Sequence, residues 1–123
     1  MIYSIMQSER ILLMNEMEKK FENAVLEIRR GTLLLCVLSQ LDKPHYGYEL
    51  VQILSSLGMD IDQNTLYPLL RRLEDQEILV SDWSVEGSRP RKYYSISEDG
   101  RSLFNKLTLE WKKISEIVTG MLD

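Results

Sequence analysis

Residues 62–80 read DQNTLYPLLRRLEDQEILV, and their spacing decides how the rest of the chain is read. Leu66, Leu69, Leu70 and Leu73 recur at steps of three and four or sit side by side, which gathers them on one stripe of a helix. Gln63, Asn64, Tyr67, Arg71 and Arg72 fall on the other faces. A leucine stripe is built to lie on a core, so the polar, partly basic face needs a role of its own. Asp62 or Asn64 can cap this helix, because a short side-chain oxygen accepts hydrogen bonds from the free N–H groups of the first turn. The two caps differ in what they make of Pro68. From Asn64 the proline falls in the first turns and removes one hydrogen bond; from Asp62 it lies deeper and should bend the helix.

Downstream the period changes. ILVSDWS from Ile78 and KYYSIS from Lys92 are rich in β-branched and aromatic residues, and VEGSRPR between them carries the glycine and proline of a turn. This predicts a β-hairpin with a basic tip at Arg89, Arg91 and Lys92. Alternation along KYYSI puts Tyr94 and Ile96 on one face and Tyr93 on the other, so Tyr94 is expected in the core and Tyr93 at the surface. Trp83, beside the hairpin, is expected to pack structurally. Ser97 then caps a final helix from about Glu98 to Leu122, along which Phe104, Leu107, Trp111, Ile114, Val118 and Met121 form a short heptad seam.

Upstream, helix formers from Glu16 to Leu41 and the apolar row Met14, Met17, Phe21, Ala24 and Ile28 predict a long N-terminal helix. Gly31 costs it about 1 kcal/mol relative to alanine and marks a site for a kink. The residues before Met14 are expected to fray. Asp42 and Pro44 stop the helix, and YELVQILSSLG restores helical periodicity through Tyr48, Leu50, Val51 and Leu54 up to Gly58. Tyr48 is expected inside.

The chain has 123 residues, 44% hydrophobic and 28% charged, which suits one small domain and is too short for two. No run of about eighteen apolar residues occurs and the N-terminus lacks a signal-peptide pattern, so a soluble cytoplasmic protein is expected, away from membranes. Cys36 is the only cysteine and lies in an apolar helical run, where it reads as a small buried hydrophobe. His45 is the only histidine and reads as a helix-entry residue; with no second imidazole and no cysteine cluster, neither a zinc site nor a catalytic pair has its parts. No cofactor, metal or catalytic set is expected. A net charge of −4 argues against indiscriminate binding of polyanions and leaves room for a local basic face.

Three helices followed by a hairpin with arginines at its tip is the order of a winged helix-turn-helix, in which the third helix enters the DNA major groove and the hairpin touches the neighbouring backbone. The fold class is therefore mainly α with a small β-hairpin, extended by a long C-terminal helix. The exposed groups of the third helix, Asn64, Thr65, Tyr67, Arg71 and Arg72, can bond base edges or phosphates, and the wing adds Arg89, Arg91, Lys92 and Tyr93.

GTLLLCVLSQLDKPHYGYELVQIL, NTLYPLLRRLEDQEIL and GSRPRKYYSISEDGR together resemble the PadR family of bacterial transcriptional regulators, over about residues 29 to 122. The resemblance implies a homodimeric repressor on double-stranded DNA whose C-terminal helix mediates dimerisation, in agreement with the heptad seam. The chain is accordingly read as a DNA-binding winged helix at 24–97 and a dimerisation helix at 98–123, preceded by an N-terminal extension at 1–23, expected to be partly helical and dimer-associated, by which it departs from the family. Trp111 matches a tryptophan that, in a multidrug-binding branch, faces its twin across the dimer and stacks planar aromatic ligands, so a small aromatic effector is implied there. The alternative from another class is a winged-helix module that binds a protein partner without DNA, which would need no basic wing.

Overall fold

The helical pattern seen from Glu16 runs further than the spacing required. In the computed structural model, which describes residues 2–123, α1 spans Ile2–Ser39. The residues before Met14 are thus helical rather than frayed, and Gly31 does not end the helix. The part of α1 up to Leu33 forms one unit, and Leu34–Asp123 forms the other. Within the first unit the row Met14, Met17, Phe21 and Ile28 is exposed throughout.

The second unit carries β1 (His45–Tyr46), α2 (Gly47–Ser56), α3 (Gln63–Asp75), β2 (Leu79–Ser84), β3 (Arg91–Ile96) and α4 (Glu98–Leu122). The sheet is antiparallel in the order β1-β3-β2, so the expected hairpin has gained a third strand. β1 pairs His45 with Tyr94 and Tyr46 with Tyr93, which puts β3 in the centre. Two residues are too few to carry a period, so β1 has no signature in the sequence.

The core is leucine-built. Val37, Leu38 and Leu41 from the end of α1 and its following turn, Leu50 and Leu54 from α2, and Leu66, Leu70 and Leu73 from α3 are all buried, with Leu79 and Tyr94 from the sheet. Cys36 beside them is half-buried, and that burial pushes its thiol above the ordinary range. The leucine stripe of α3 therefore does what its spacing requires. Leu69, its most open member, is only 7% exposed.

Asp62 caps α3: its carboxylate accepts from the Thr65 N–H at 2.8 Å. The helix begins two residues before the alternative start at Asn64, and Pro68 lies well inside it, where it denies the Asn64 carbonyl its intrahelical donor. The other end closes with the Ile78 N–H on the Leu73 carbonyl and the Glu77 N–H on the Glu74 carbonyl, with Glu77 in the left-handed region at φ 61°. α2 closes the same way on Gly58, at φ 98°.

α4 starts as its cap predicts. Ser97 Oγ accepts from the Gly100 N–H at 2.9 Å, and its own hydroxyl faces the Glu77 and Ile78 carbonyls. Gly100 is buried there, and a Cβ on it would stand 2.1 Å from the Ile78 carbonyl oxygen. The N-terminus of α4 is thereby seated on the turn between α3 and β2.

Candidate nucleic-acid interface

The polar face of α3 is open along its whole length. Asn64 and Thr65 occupy the first turn, and Tyr67, Arg71 and Arg72 follow, all exposed. Arg71 does not pair with Asp75; among the described residues it has no ion-pair partner. The leucines on the opposite side fix the helix, so this face is presented rather than loosely held.

The wing is organised by aromatic contacts. Arg91 places its guanidinium carbon 4.5 Å from the centroid of the Tyr46 ring, and Tyr46 in turn meets Tyr93 edge-on with centroids 5.5 Å apart. Tyr93 is half-buried by this packing. Arg89 is exposed in the turn between β2 and β3, two residues after Gly87, whose φ of 85° the turn requires.

Lys92 stands apart from the other predicted contacts. It is half-buried on the Tyr94 face of β3, and its ammonium donates to Glu74 of α3 at 2.7 Å. Ser81 donates to the same carboxylate. The hydrogen bond from Lys92, then that from Ser81, holds the Glu74 carboxyl below the ordinary carboxylate value, while Glu74 raises the Lys92 ammonium above its own. Lys92 thus ties the wing to α3, and its charge is already answered inside the protein. The alternation that turned Tyr94 inward carries Lys92 with it, so the signal was present in KYYSI.

Two aromatic expectations are corrected. Tyr48 is 49% exposed rather than in the core, and Trp83 is 67% exposed rather than packed. Trp83 pairs with Lys92 one step from the end of the hairpin, where the strands have outrun the core. Tyr48 lies in the first turn of α2 beside a cleft of about 350 Å³ that opens between α2, α3 and β3, its walls including Tyr46, Gly47, Tyr67, Arg71 and Arg91. Tyr67 lies so near the backbone at Gly47 that a Cβ there would stand 2.4 Å from its ring. Gly47 is therefore a site residue that spacing alone did not single out. His45, at the entry to α2, bonds Glu49 of its first turn.

α4 presents the remaining predicted row. Phe104 and Leu107 are half-buried, but Trp111, Ile114, Val118 and Met121 are exposed. The first two residues of the seam are partly covered by the chain itself, and the four that follow are not.

Residues 34–106 match the model of the transcriptional regulator PadR-like family, well over half of the chain. The chain belongs to the PadR-like family. Among its relatives is a transcriptional regulator of Mycobacterium tuberculosis, 33% identical over 97 residues that make up 78% of this chain and 88% of that protein. A solved PadR family regulator from Eggerthella lenta is 44% identical and superimposes with a TM-score of 0.83, covering 86% of this chain and 95% of that one. Bacillus subtilis PadR, solved with operator DNA, shares the fold at a TM-score of 0.58 and 17% identity, over 63% of this chain and 45% of that one. This PadR-like protein is thus a transcriptional regulator with a winged helix-turn-helix, in a family of regulators rather than enzymes. Among its described residues no helix is long and apolar enough to cross a membrane.

Proposed function

We propose that this PadR-like chain is a cytoplasmic homodimeric repressor that binds an inverted-repeat operator in double-stranded DNA. The observation that carries the reading is the pairing, within one unit, of an exposed polar face on α3 with a cationic wing whose base is packed by Arg91, Tyr46 and Tyr93. Asn64 and Thr65 sit at the start of α3, where side chains reach base edges. Tyr67, Arg71 and Arg72 lie further along the same exposed surface, and Arg89 and Arg91 with Tyr93 supply backbone contacts from the wing. Lys92 serves the interface by holding the wing against Glu74. The relative from Bacillus subtilis, solved with operator DNA, supports the assignment at the level of the fold.

Two recognition helices related by a dyad address major grooves about 34 Å apart, which calls for a palindromic site. The exposed part of the α4 row, Trp111, Ile114, Val118 and Met121, supports α4 at 98–123 as the dimerisation helix, continuing the covered Phe104 and Leu107. In this division residues 24–97 are the DNA-binding winged helix and 1–23 a dimer-associated extension. Trp111, 42% exposed, is the platform for a planar aromatic effector, which relieves repression by binding better to a subunit arrangement that does not fit DNA.

Titration of a duplex selected from a random pool, repeated across salt concentrations, tests the reading. Tight binding to the selected duplex that weakens steeply with salt is expected, with a slope reduced by about one for each phosphate-contacting arginine removed. Equal, weak binding to all duplexes would refute sequence-specific regulation by this chain. Tryptophan quenching by planar aromatics that survives Trp111→Ala would remove the effector site from α4.

A further inference from the structure

The geometry points to the cleft between α2, α3 and β3 as the seat of one DNA backbone phosphodiester, clamped by Arg71 and Arg91 and kept in shape by Gly47. The inference deepens the DNA-binding reading and rests on it.

Charge is the first argument. The walls of the cleft include Arg71, Arg91 and Lys92 and no carboxylate. Lys92 is answered by Glu74. Arg71 and Arg91 are not: among the described residues neither forms an ion pair, and Arg91 is steadied only by the Tyr46 ring. Two arginines that line one cleft without an ion-pair partner of their own suit an external anion, and a phosphodiester with two free oxygens can accept from both forks.

Hydroxyl supply is the second. Tyr48 and Tyr67 also line the cleft, and among the described residues neither hydroxyl has a hydrogen-bond partner. In the proposed seat they donate to the same oxygens. Position is the third. Arg71 belongs to the exposed face of α3 and Arg91 to the wing, so a DNA strand that touches both crosses the cleft between them.

Gly47 sets the geometry without touching the ligand. A Cβ at 47 would stand 2.4 Å from Tyr67 Cε1 and 3.0 Å from Cζ, so the ring must move when any side chain is added. Gly47→Ala removes no charge and no hydrogen-bonding group, yet it should displace one wall of the seat.

The test scans the selected duplex with single methylphosphonates, each neutralising one phosphate, against wild type, Arg71→Ala, Arg91→Ala and Gly47→Ala. Wild type should lose about tenfold or more in affinity at one phosphate per half-site. At that same phosphate both arginine variants should bind native and neutralised duplexes equally, because the partner has already gone. Gly47→Ala should flatten the response there too, with thermal melting followed to confirm that it is folded; Tyr67→Phe, which keeps the ring, gives a partial loss at the same position. Arginine variants silenced at two different phosphates, or a wild type indifferent to every neutralised position, would overturn the single seat while leaving DNA binding intact. A wild type that selects no duplex would overturn the DNA-binding reading itself.

Discussion

α3 and α4 both carry apolar side chains at helical spacing, yet the two rows meet different fates. In α3, Leu66, Leu69, Leu70 and Leu73 are at most 7% exposed, whereas in α4 Trp111, Ile114, Val118 and Met121 are between 42% and 78% exposed. Periodicity reports a face that needs cover; it does not say whose chain supplies it. The α3 row is completed within the protomer and belongs to stability. The α4 row is left open in the protomer, and in the dimer proposed above a second copy would cover it.

The contrast can be broken most easily at Leu66, which is fully buried. Leu66→Ala should cost about 2–5 kcal/mol of folding free energy, read by chemical denaturation and independent of protein concentration. Ile114→Asp should instead weaken self-association, by about 2 kcal/mol or more if the residue lies at the centre of the seam, seen by sedimentation as a rise in the monomer fraction on dilution. Were its effect on denaturation the same at every concentration, Ile114 would be a core residue of the protomer and the distinction would collapse.

Glu77 bears on the folded protomer alone. It closes α3 in a backbone conformation that favours glycine, so Glu77→Gly should stabilise the fold by about 1 kcal/mol and leave the dissociation constant of the assembly unchanged. A destabilised Glu77→Gly would mean that side-chain contacts outweigh the strain.

The smallest effect is the pH response of the tie between α3 and the wing. Glu74 is held below its ordinary value of 4.5, so its contribution is full above that value and is lost as pH falls through the lower folded one. Lys92 is raised above 10.5, so its share persists through neutral pH and is lost only as pH climbs past its raised value. Denaturation midpoints measured down the acid limb should fall less steeply for Glu74→Gln than for wild type. Parallel curves would show that other carboxylates set the acid limb.

The legible parts of this fold are those whose signal is local and repeated. The leucine stripe of α3, the two hairpin strands, the Ser97 cap and the span of α4 are each written in several residues at once. The end of α2 was legible because Gly58 stands where the left-handed turn falls; the end of α3 was not, because Glu77 takes the same conformation without the composition that signals it. Tyr48 was misplaced inward because helical spacing alone cannot tell the covered side of a first turn from the rim of a cleft. Gly47 was passed over for a related reason: its importance lies in the nearness of the Tyr67 ring, twenty positions on in the sequence, and only the folded chain brings the two together.

β1 has only two residues, but by pairing with β3 it leaves the central strand hydrogen-bonded on both edges. The wing is consequently not a free arm. Because β1 leads directly into α2, any swing of β3 must either rupture a ladder or drag the first helix of the reading head along with it. In the proposed complex a signal arriving through α4 would therefore act on a stiff lever and not on a flexible finger: it would tilt the whole head off the duplex rather than relax the wing alone.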